Sequence, residues 1–277
     1  MSVATKKVGF MGAGEIAEVL IGNILANKLV PAGNITIFDP NPERREHMKS
    51  KHGVNAADNN VQVVEASDYI FSCIRSEYVS EAVQEISGCN VDGKAFISIS
   101  AGIPMLLFEK SLKNATVARS LPNPPSKIGM GAIAIAFNNR CNDGQKQDIM
   151  SLFSPMGECY ALREDQIDAV TAVTCLAHFL SLCQASVEGS VLMGIDYKTS
   201  RDLVMQTLRG ALKVWEQRPD KLSEILDQSA TPGGITARML YFLDQHEFKY
   251  AVKGCIEEGT LRTRAFGDKI KEQLNRS

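Results

Sequence analysis

Lys7-Val8-Gly9-Phe10-Met11-Gly12-Ala13-Gly14-Glu15-Ile16-Ala17 is the stretch whose reading decides the fold. A short apolar strand runs into glycines and then into the opening turn of a helix. Gly12-x-Gly14-x-x-Ala17 is a dinucleotide fingerprint with alanine in its third place. Gly12 permits the tight turn, Gly14 lets backbone approach a pyrophosphate, and small Ala17 lets the helix lie close to the strand. The helix that starts at Glu15 and Ile16 offers unpaired N–H groups to phosphates. The Glu15 carboxylate suits the positive end of the helix dipole and is expected to face solvent. Context supports the motif, because a second strand, Ile35-Thr36-Ile37-Phe38, ends on an acid, Asp39. A carboxylate there accepts from a ribose 2′-hydroxyl and repels a 2′-phosphate, which favours NADH. Arg44 and Arg45, just beyond, are the residues that would suit NADPH instead.

Strands and helices alternate onward from this unit. Helices are expected at about 14–28, 42–51, 59–65, 79–86 and 105–112, and strands at 68–74, 95–99 and 116–120. One more strand is expected at 131–137, a helix at 143–153 and an edge strand at 159–161. Alternation of this kind predicts an α/β fold, a Rossmann-type doubly wound parallel sheet. Three loops fall at carboxyl ends of strands, where such a sheet holds its ligand. They carry Arg75 in 73–76, Ala101 and Gly102 in 98–103, and Pro122 and Asn123 in 121–126. Each is also readable as ordinary turn chemistry.

From residue 165 onward only helical periodicity remains, at about 166–190, 196–216, 219–228, 233–245 and 247–272. The expected division is therefore 1–164, a dinucleotide-binding domain, and 165–277, an all-α domain. Segment 166–190 is apolar nearly all round, with Val170, Leu176, Phe179, Leu180 and Leu182 among its residues. Such a helix must be buried on every side. Burial against a second copy of the chain, a homodimer, is the expected solution. Ala230-Thr231-Pro232-Gly233-Gly234-Ile235-Thr236 reads either as a sharp break between helices or as an anion site opening a helix.

The 277 residues carry 30 basic and 32 acidic side chains, a formal charge of −2, which offers no field for nucleic acid. No apolar run is expected to span a membrane, and the N-terminus lacks the apolar core of a signal peptide. Seven scattered cysteines without a Cys-x-x-Cys pair point to reduced thiols in a cytoplasmic protein, and neither they nor the four histidines suggest a metal site.

Taken in order, the motifs resemble those of pyrroline-5-carboxylate reductases. They are the Gly12 fingerprint, Ser98-Ile-Ser-Ala-Gly-Ile103, Arg119-Ser-Leu-Pro-Asn-Pro-Pro125, Asp168-Ala-Val-Thr-Ala172, Met193-Gly194, Gln206-Thr207-x-x-Gly210-Ala211, Thr231-Pro-Gly-Gly-Ile-Thr236, Phe248-x-x-Ala251-Val252 and Thr263-Arg264-x-x-Gly267. The resemblance covers the whole chain. It implies a Rossmann domain, a helical dimerisation domain, dimers that assemble into decamers, and NAD(P)H-dependent reduction of 1-pyrroline-5-carboxylate to proline. It further implies that Gly233, Gly234 and Thr231 hold the substrate carboxylate and that Thr236 hydrogen-bonds the imine nitrogen and relays its proton.

The chain also departs from that family. Thr174-Cys-Leu-Ala-His-Phe-Leu180 replaces a glycine-rich Ser-Gly-Ser-Gly-Pro-Ala-Tyr-like run beside the substrate pocket, which makes His178 a further candidate for touching substrate. Arg75 replaces the lysine of a Val-Lys-Pro-like loop, and Pro-Asn-Pro-Pro replaces Pro-Asn-Thr-Pro. Other readings are a reductase of a different cyclic imino acid and a non-catalytic dinucleotide-binding sensor. A β-hydroxyacid dehydrogenase is disfavoured because 168–190 lacks the lysine such enzymes use as acid–base group.

Overall fold

The computed structural model describes residues 3–218 and 221–276. Pro219 and Asp220, with which the helix expected at 219–228 begins, lie outside the described residues. In chain order the first part runs β1 (Val8–Met11), α1 (Glu15–Ala26), β2 (Ile35–Phe38), α2 (Pro42–His52), β3 (Asn55–Ala56), α3 (Asn60–Glu65) and β4 (Tyr69–Ser72). It continues with α4 (Val79–Glu85), β5 (Ala95–Ser98), α5 (Met105–Ser111), β6 (Thr116–Leu121), β7 (Gly131–Phe137), α6 (Asp143–Phe153), β8 (Gly157–Ala161) and α7 (Glu164–Val173). Helices α8 (Leu176–Leu192), α9 (Tyr197–Glu216), α10 (Leu222–Ser229), α11 (Ile235–Gln245) and α12 (Phe248–Arg276) complete the chain.

The strands form one sheet in the order β3-β2-β1-β4-β5-β6-β7-β8. Every pairing is parallel except β6 with β7, which is antiparallel. The sheet is thus mostly parallel, as expected, with β7 turned over because the short 122–130 connection returns the chain directly. The two-residue β3 on the edge was not expected; it is too short to show a period.

Central strands are buried on both faces, so successive side chains feed two cores. Phe10 and Phe71 join one with Leu20 and Ile24 of α1 and Phe153 of α6. Met11 and Ile70 join the other with Val63, Val83 and Phe108 from α3, α4 and α5. The Phe10 and Phe71 rings stack with centroids 5.0 Å apart, and Phe153 meets Phe71 edge-on at 5.5 Å. Burial of each such ring contributes roughly 1.5–3 kcal/mol.

The chain divides into two compact units: 1–174 with 258–277, and 175–257. These units part ten residues after the division expected at 164/165, and the last helix returns to the first unit. The reason lies in α7. Ile167 is fully buried in the second core. Asp168 meets the buried Arg119 of β6 at 2.5 Å, and Glu164 accepts from the Met105 backbone N–H at 2.7 Å. Helical periodicity reports that α7 is a helix but not which core receives it.

The single helix expected over 166–190 is two helices. The Thr174 N–H still makes the helical bond to the Val170 carbonyl at 2.8 Å, its hydroxyl bonds back to the same oxygen, and Cys175 then turns extended (φ −67°, ψ 128°). Within the second unit α8 packs along α9, yet Val187 is the one residue of α8 that the chain itself buries. Phe179, Leu180, Leu182 and Leu192 remain exposed, so the burial that α8 requires is not supplied within one chain. Contrary to expectation, Glu164–Leu192 taken as one stretch is long and apolar enough to cross a membrane by length and composition. It is interrupted at Thr174–Cys175.

Helix α1 is tied to α2 by one carboxylate. Glu18 accepts from Arg44, from Lys51 at 2.7 Å and from His47 at 3.1 Å, with His52 at 3.5 Å. Lys51 first, then His47 and Arg44, hold its carboxyl well below the usual carboxylate range against the opposing effect of burial. A depressed acid stabilises the fold above its unfolded pKa and loses that contribution as pH falls toward its folded one. Glu18→Gln should therefore cost about 1–2 kcal/mol at neutral pH. In urea titrations the gap from wild type should narrow as pH drops below the ordinary glutamate value of about 4.5; a gap independent of pH would contradict the assignment.

Candidate functional site

The fingerprint forms where three strands converge. The Gly12 N–H donates to the Phe38 carbonyl at the end of β2 (2.8 Å), and the Cys73 N–H donates to the Met11 carbonyl (2.8 Å). Gly12 has φ +88°, and a Cβ there would lie 2.8 Å from the Cys73 carbonyl oxygen. No residue with a side chain fits. Ala17 is fully buried, as the small third position requires. Gly14 precedes α1 in an extended conformation, and no side chain caps the helix. A Cβ on Gly14 would meet nothing within 4 Å, so the space beside the glycine is open, and the uncapped helix start leaves first-turn N–H groups of the kind that receive an anion.

Around this cradle the expected residues take definite places. Asp39 follows β2, and its two oxygens accept from the Ala13 N–H (2.9 Å) and the Asn41 N–H (3.0 Å). The carboxylate is thus fixed to the glycine loop rather than free. Neither arginine beyond it is available. Arg44 is committed to the Ala13 carbonyl and Glu18, while Arg45 donates to the Asp39 carbonyl at 2.6 Å and covers the Phe38 ring. Glu15 faces solvent, as expected, and there Lys127 lies 2.5 Å from its carboxylate. Ile16 shares a shallow hollow with Arg75 and Ala101.

Two of the three strand-end loops are stitched together. The Ser76 hydroxyl donates to the Ala101 carbonyl (2.8 Å), and Ser100 donates to the Ile74 carbonyl (2.5 Å). Asn123, after Pro122, accepts from the Ala132 N–H (3.0 Å) and donates to the Thr174 carbonyl (3.2 Å), linking its loop to the end of α7. Gly102 has φ +71° and sits under α12, where its Cβ would lie 2.8 Å from the Phe266 Cβ. Gly267 returns the contact, since a Cβ there would meet the Gly102 carbonyl at 3.0 Å. The small residues of the Thr263-Arg264-x-x-Gly267 segment therefore let the last helix clamp the 98–103 loop.

A cleft of about 560 Å³ opens beside the cradle, lined by Gly12, Gly14, Asp39, Arg75, Tyr78 and Glu85 among others. Tyr78, Glu85 and Asn60 were not singled out from the sequence. Asn60 donates to Glu85 through both its backbone N–H (3.1 Å) and its side-chain amide (2.6 Å). Their one legible signal is position, at the N-terminus of α3 and in the turn and helix that follow β4. Cys73 also lines the cleft, and burial pushes its thiol far up, so it is a neutral wall rather than a nucleophile.

The remaining candidates lie in the second unit. Thr231-Pro232-Gly233-Gly234 forms a turn into α11, with φ +71° at Gly233. The Gly234 N–H donates to the Thr231 carbonyl at 2.9 Å, which corrects the expectation that it faces an anion. Gly234 serves the turn sterically instead, since a Cβ there would collide with the Thr231 hydroxyl. Helix α11 has no side-chain cap and no acid in its first turn, which contains Thr236. His178 lies in the first turn of α8 with its ring 4.0 Å from that of Phe179. Among the described residues no cluster of histidine, cysteine and acidic side chains fits a metal ion.

Known proteins resemble this chain in sequence and in fold. Residues 164–266 match the family model for pyrroline-5-carboxylate reductase dimerisation, and 7–102 match that for coenzyme F420-dependent NADP oxidoreductases. The chain is 28% identical to pyrroline-5-carboxylate reductase 3 of Danio rerio, covering 96% of this chain and 93% of that protein. It is 24% identical to the Synechocystis reductase over 95% and 99% of the two chains. In fold it resembles the crystal structure of Plasmodium falciparum pyrroline carboxylate reductase with NADP bound, at TM-score 0.83 and 23% identity over 95% and 99% of the chains. The Coxiella burnetii reductase aligns at TM-score 0.84 and 21% identity over 95% and 98%.

Gly102→Ala places a Cβ against α12 at a left-handed backbone position and should destabilise the first unit by about 1–3 kcal/mol. Thermal denaturation measures this; an unchanged melting temperature would show that the clamp yields freely.

Proposed function

We propose that this chain, which belongs to the pyrroline-5-carboxylate reductase family, reduces 1-pyrroline-5-carboxylate to proline with NAD(P)H. The observation that carries the reading is the Thr231–Thr236 turn, an uncapped and acid-free helix start inside the matched dimerisation segment. When bound, the reduced dinucleotide supplies the hydride that the carbon of a C=N bond accepts, while the ring nitrogen takes up a proton.

The chain's own residues have three tasks. Gly12, Gly14 and the first turn of α1, Glu15 and Ile16, receive the pyrophosphate, and the loops with Arg75, Ala101, Gly102, Pro122 and Asn123 wall the dinucleotide. Gly233, the first-turn N–H groups of α11 and the Thr231 hydroxyl hold the substrate carboxylate, with Gly234 shaping the turn. Thr236 hydrogen-bonds the imine nitrogen and passes it a proton. A protonated imine is already electrophilic, so positioning and exclusion of water do most of the catalysis.

Asp39 near the adenosine ribose, with both neighbouring arginines committed to protein partners, supports a preference for NADH. The exposed faces of α8 support a homodimer, the seven free thiols support a cytoplasmic setting, and dimers pairing further into a decamer is the family pattern. The altered 174–180 run, with Cys175, Leu176 and His178 where the family has small residues, favours as second reading a related cyclic imino acid of different ring size.

The test is the loss of reduced-nicotinamide absorbance on adding pyrroline-5-carboxylate, with NADH and NADPH separately. Turnover, faster with NADH, is expected; dinucleotide binding without turnover on any cyclic imino acid would leave a sensor. Thr236→Ala should lower turnover on the order of a hundredfold with dinucleotide affinity kept. Full activity in that variant would remove Thr236 from the mechanism. Light scattering at micromolar concentration should give at least twice the chain mass, and a monomeric mass would refute the dimer.

A further inference from the structure

The cleft beside the fingerprint holds a feature for which pyrophosphate and ribose binding give no use. Arg75 is largely exposed, with 73% of its side chain open to solvent, yet it is not loose. Its guanidinium carbon lies 5.1 Å from the Tyr78 ring centroid, and one terminal nitrogen donates to the Tyr78 hydroxyl at 3.3 Å. Its Nε lies 3.4 Å from Glu77. The guanidinium therefore lies against Tyr78, within reach of both its ring and its hydroxyl, while most of its surface stays open to solvent. Both Arg75 and Tyr78 line the cleft that Gly12 and Gly14 also line.

The electrostatics argue against a phosphate on this guanidinium. Glu77 already pairs with it, and Asp39, Glu81 and Glu85 line the same cleft. A phosphate there would meet a largely compensated cation among carboxylates. A flat, uncharged aromatic base needs no net charge, because it stacks on a guanidinium plane or a tyrosine ring by polarisation and dispersion. Arginine offers that plane and lysine does not. This is a position where the chain carries arginine in place of the lysine that the resemblance implies.

We propose that Arg75 and Tyr78 form a rigid ledge on which the adenine ring of the dinucleotide stacks, making Arg75 a specificity residue for the base rather than a phosphate ligand. The proposal rests on the reading that the chain binds a nicotinamide dinucleotide.

Calorimetric titration tests it with ADP-ribose, which carries the adenine, and with reduced nicotinamide mononucleotide, which lacks it. Wild type, Arg75→Lys, Arg75→Ala and Tyr78→Ala are compared, and the exposed positions leave folding intact, which circular dichroism verifies. Arg75→Ala and Tyr78→Ala should each weaken ADP-ribose by about five- to tenfold, with Arg75→Lys recovering little. Mononucleotide affinity should be unchanged in all three, and the ADP-ribose loss should persist at raised salt. Full recovery by Arg75→Lys, with a deficit that salt abolishes, would make Arg75 a charge contact and overturn the ledge. Unchanged ADP-ribose affinity in Arg75→Ala would overturn it as well. If wild type binds neither ADP-ribose nor NADH, the dinucleotide reading falls and the ledge with it.

Discussion

Everything about the first unit depends on how closely three backbone segments approach at Gly12. Its N–H is bonded to the end of β2, and its missing Cβ leaves room for the carbonyl that ends β4. Asp39 adds a second tie by accepting from Ala13. These contacts bring the ends of β1, β2 and β4 together and aim the start of α1 at the space between them. A larger residue at position 12 would push β4 away and with it the loop that carries Arg75. The two cores on either face of the sheet make that arrangement stiff, because Phe10 and Phe71 on neighbouring strands pack into the same layer.

Stiffness at the cradle contrasts with the second unit. There the helices bury little within one chain, and α8 and α11 present Phe179, Leu180, Ile235 and Phe242 outward. Marginal burial of so many large apolar side chains costs free energy in water, and a dimerisation segment resolves it by association. Helix α12 belongs to both units. Its distal half returns to the first, where small residues at 102 and 267 allow close contact, so the loop expected to flank the dinucleotide is held by the last part of the chain.

The charged residues around the cleft show how tertiary partners redefine what a side chain can do. Arg44 and Arg45 have the right type and position to take a 2′-phosphate, and both are occupied, one by Glu18 and the other by backbone carbonyls. Asp39 keeps the place that its strand position dictates but is anchored on both oxygens. Glu15, whose charge sits awkwardly near the expected phosphates, is paired by Lys127 from a remote loop.

The strand–helix alternation, the fingerprint and its acid, the three strand-end loops and the Pro-Gly-Gly turn are all legible in the order of residues. Each is written in local chemistry, in residue period, glycine placement or a proline, and such signals do not need distant partners. Folding in three dimensions was needed to set β7 antiparallel, to place α7 in the first unit, to spend the Gly234 N–H inside its own turn, and to bring Tyr78, Asn60 and Glu85 to the cleft with Gly12. Those outcomes depend on which surface meets which: Ile167 finds a core, Arg119 finds Asp168, and Asn60 finds Glu85 twenty-five residues away. A period along one helix carries no record of the partner across the sheet.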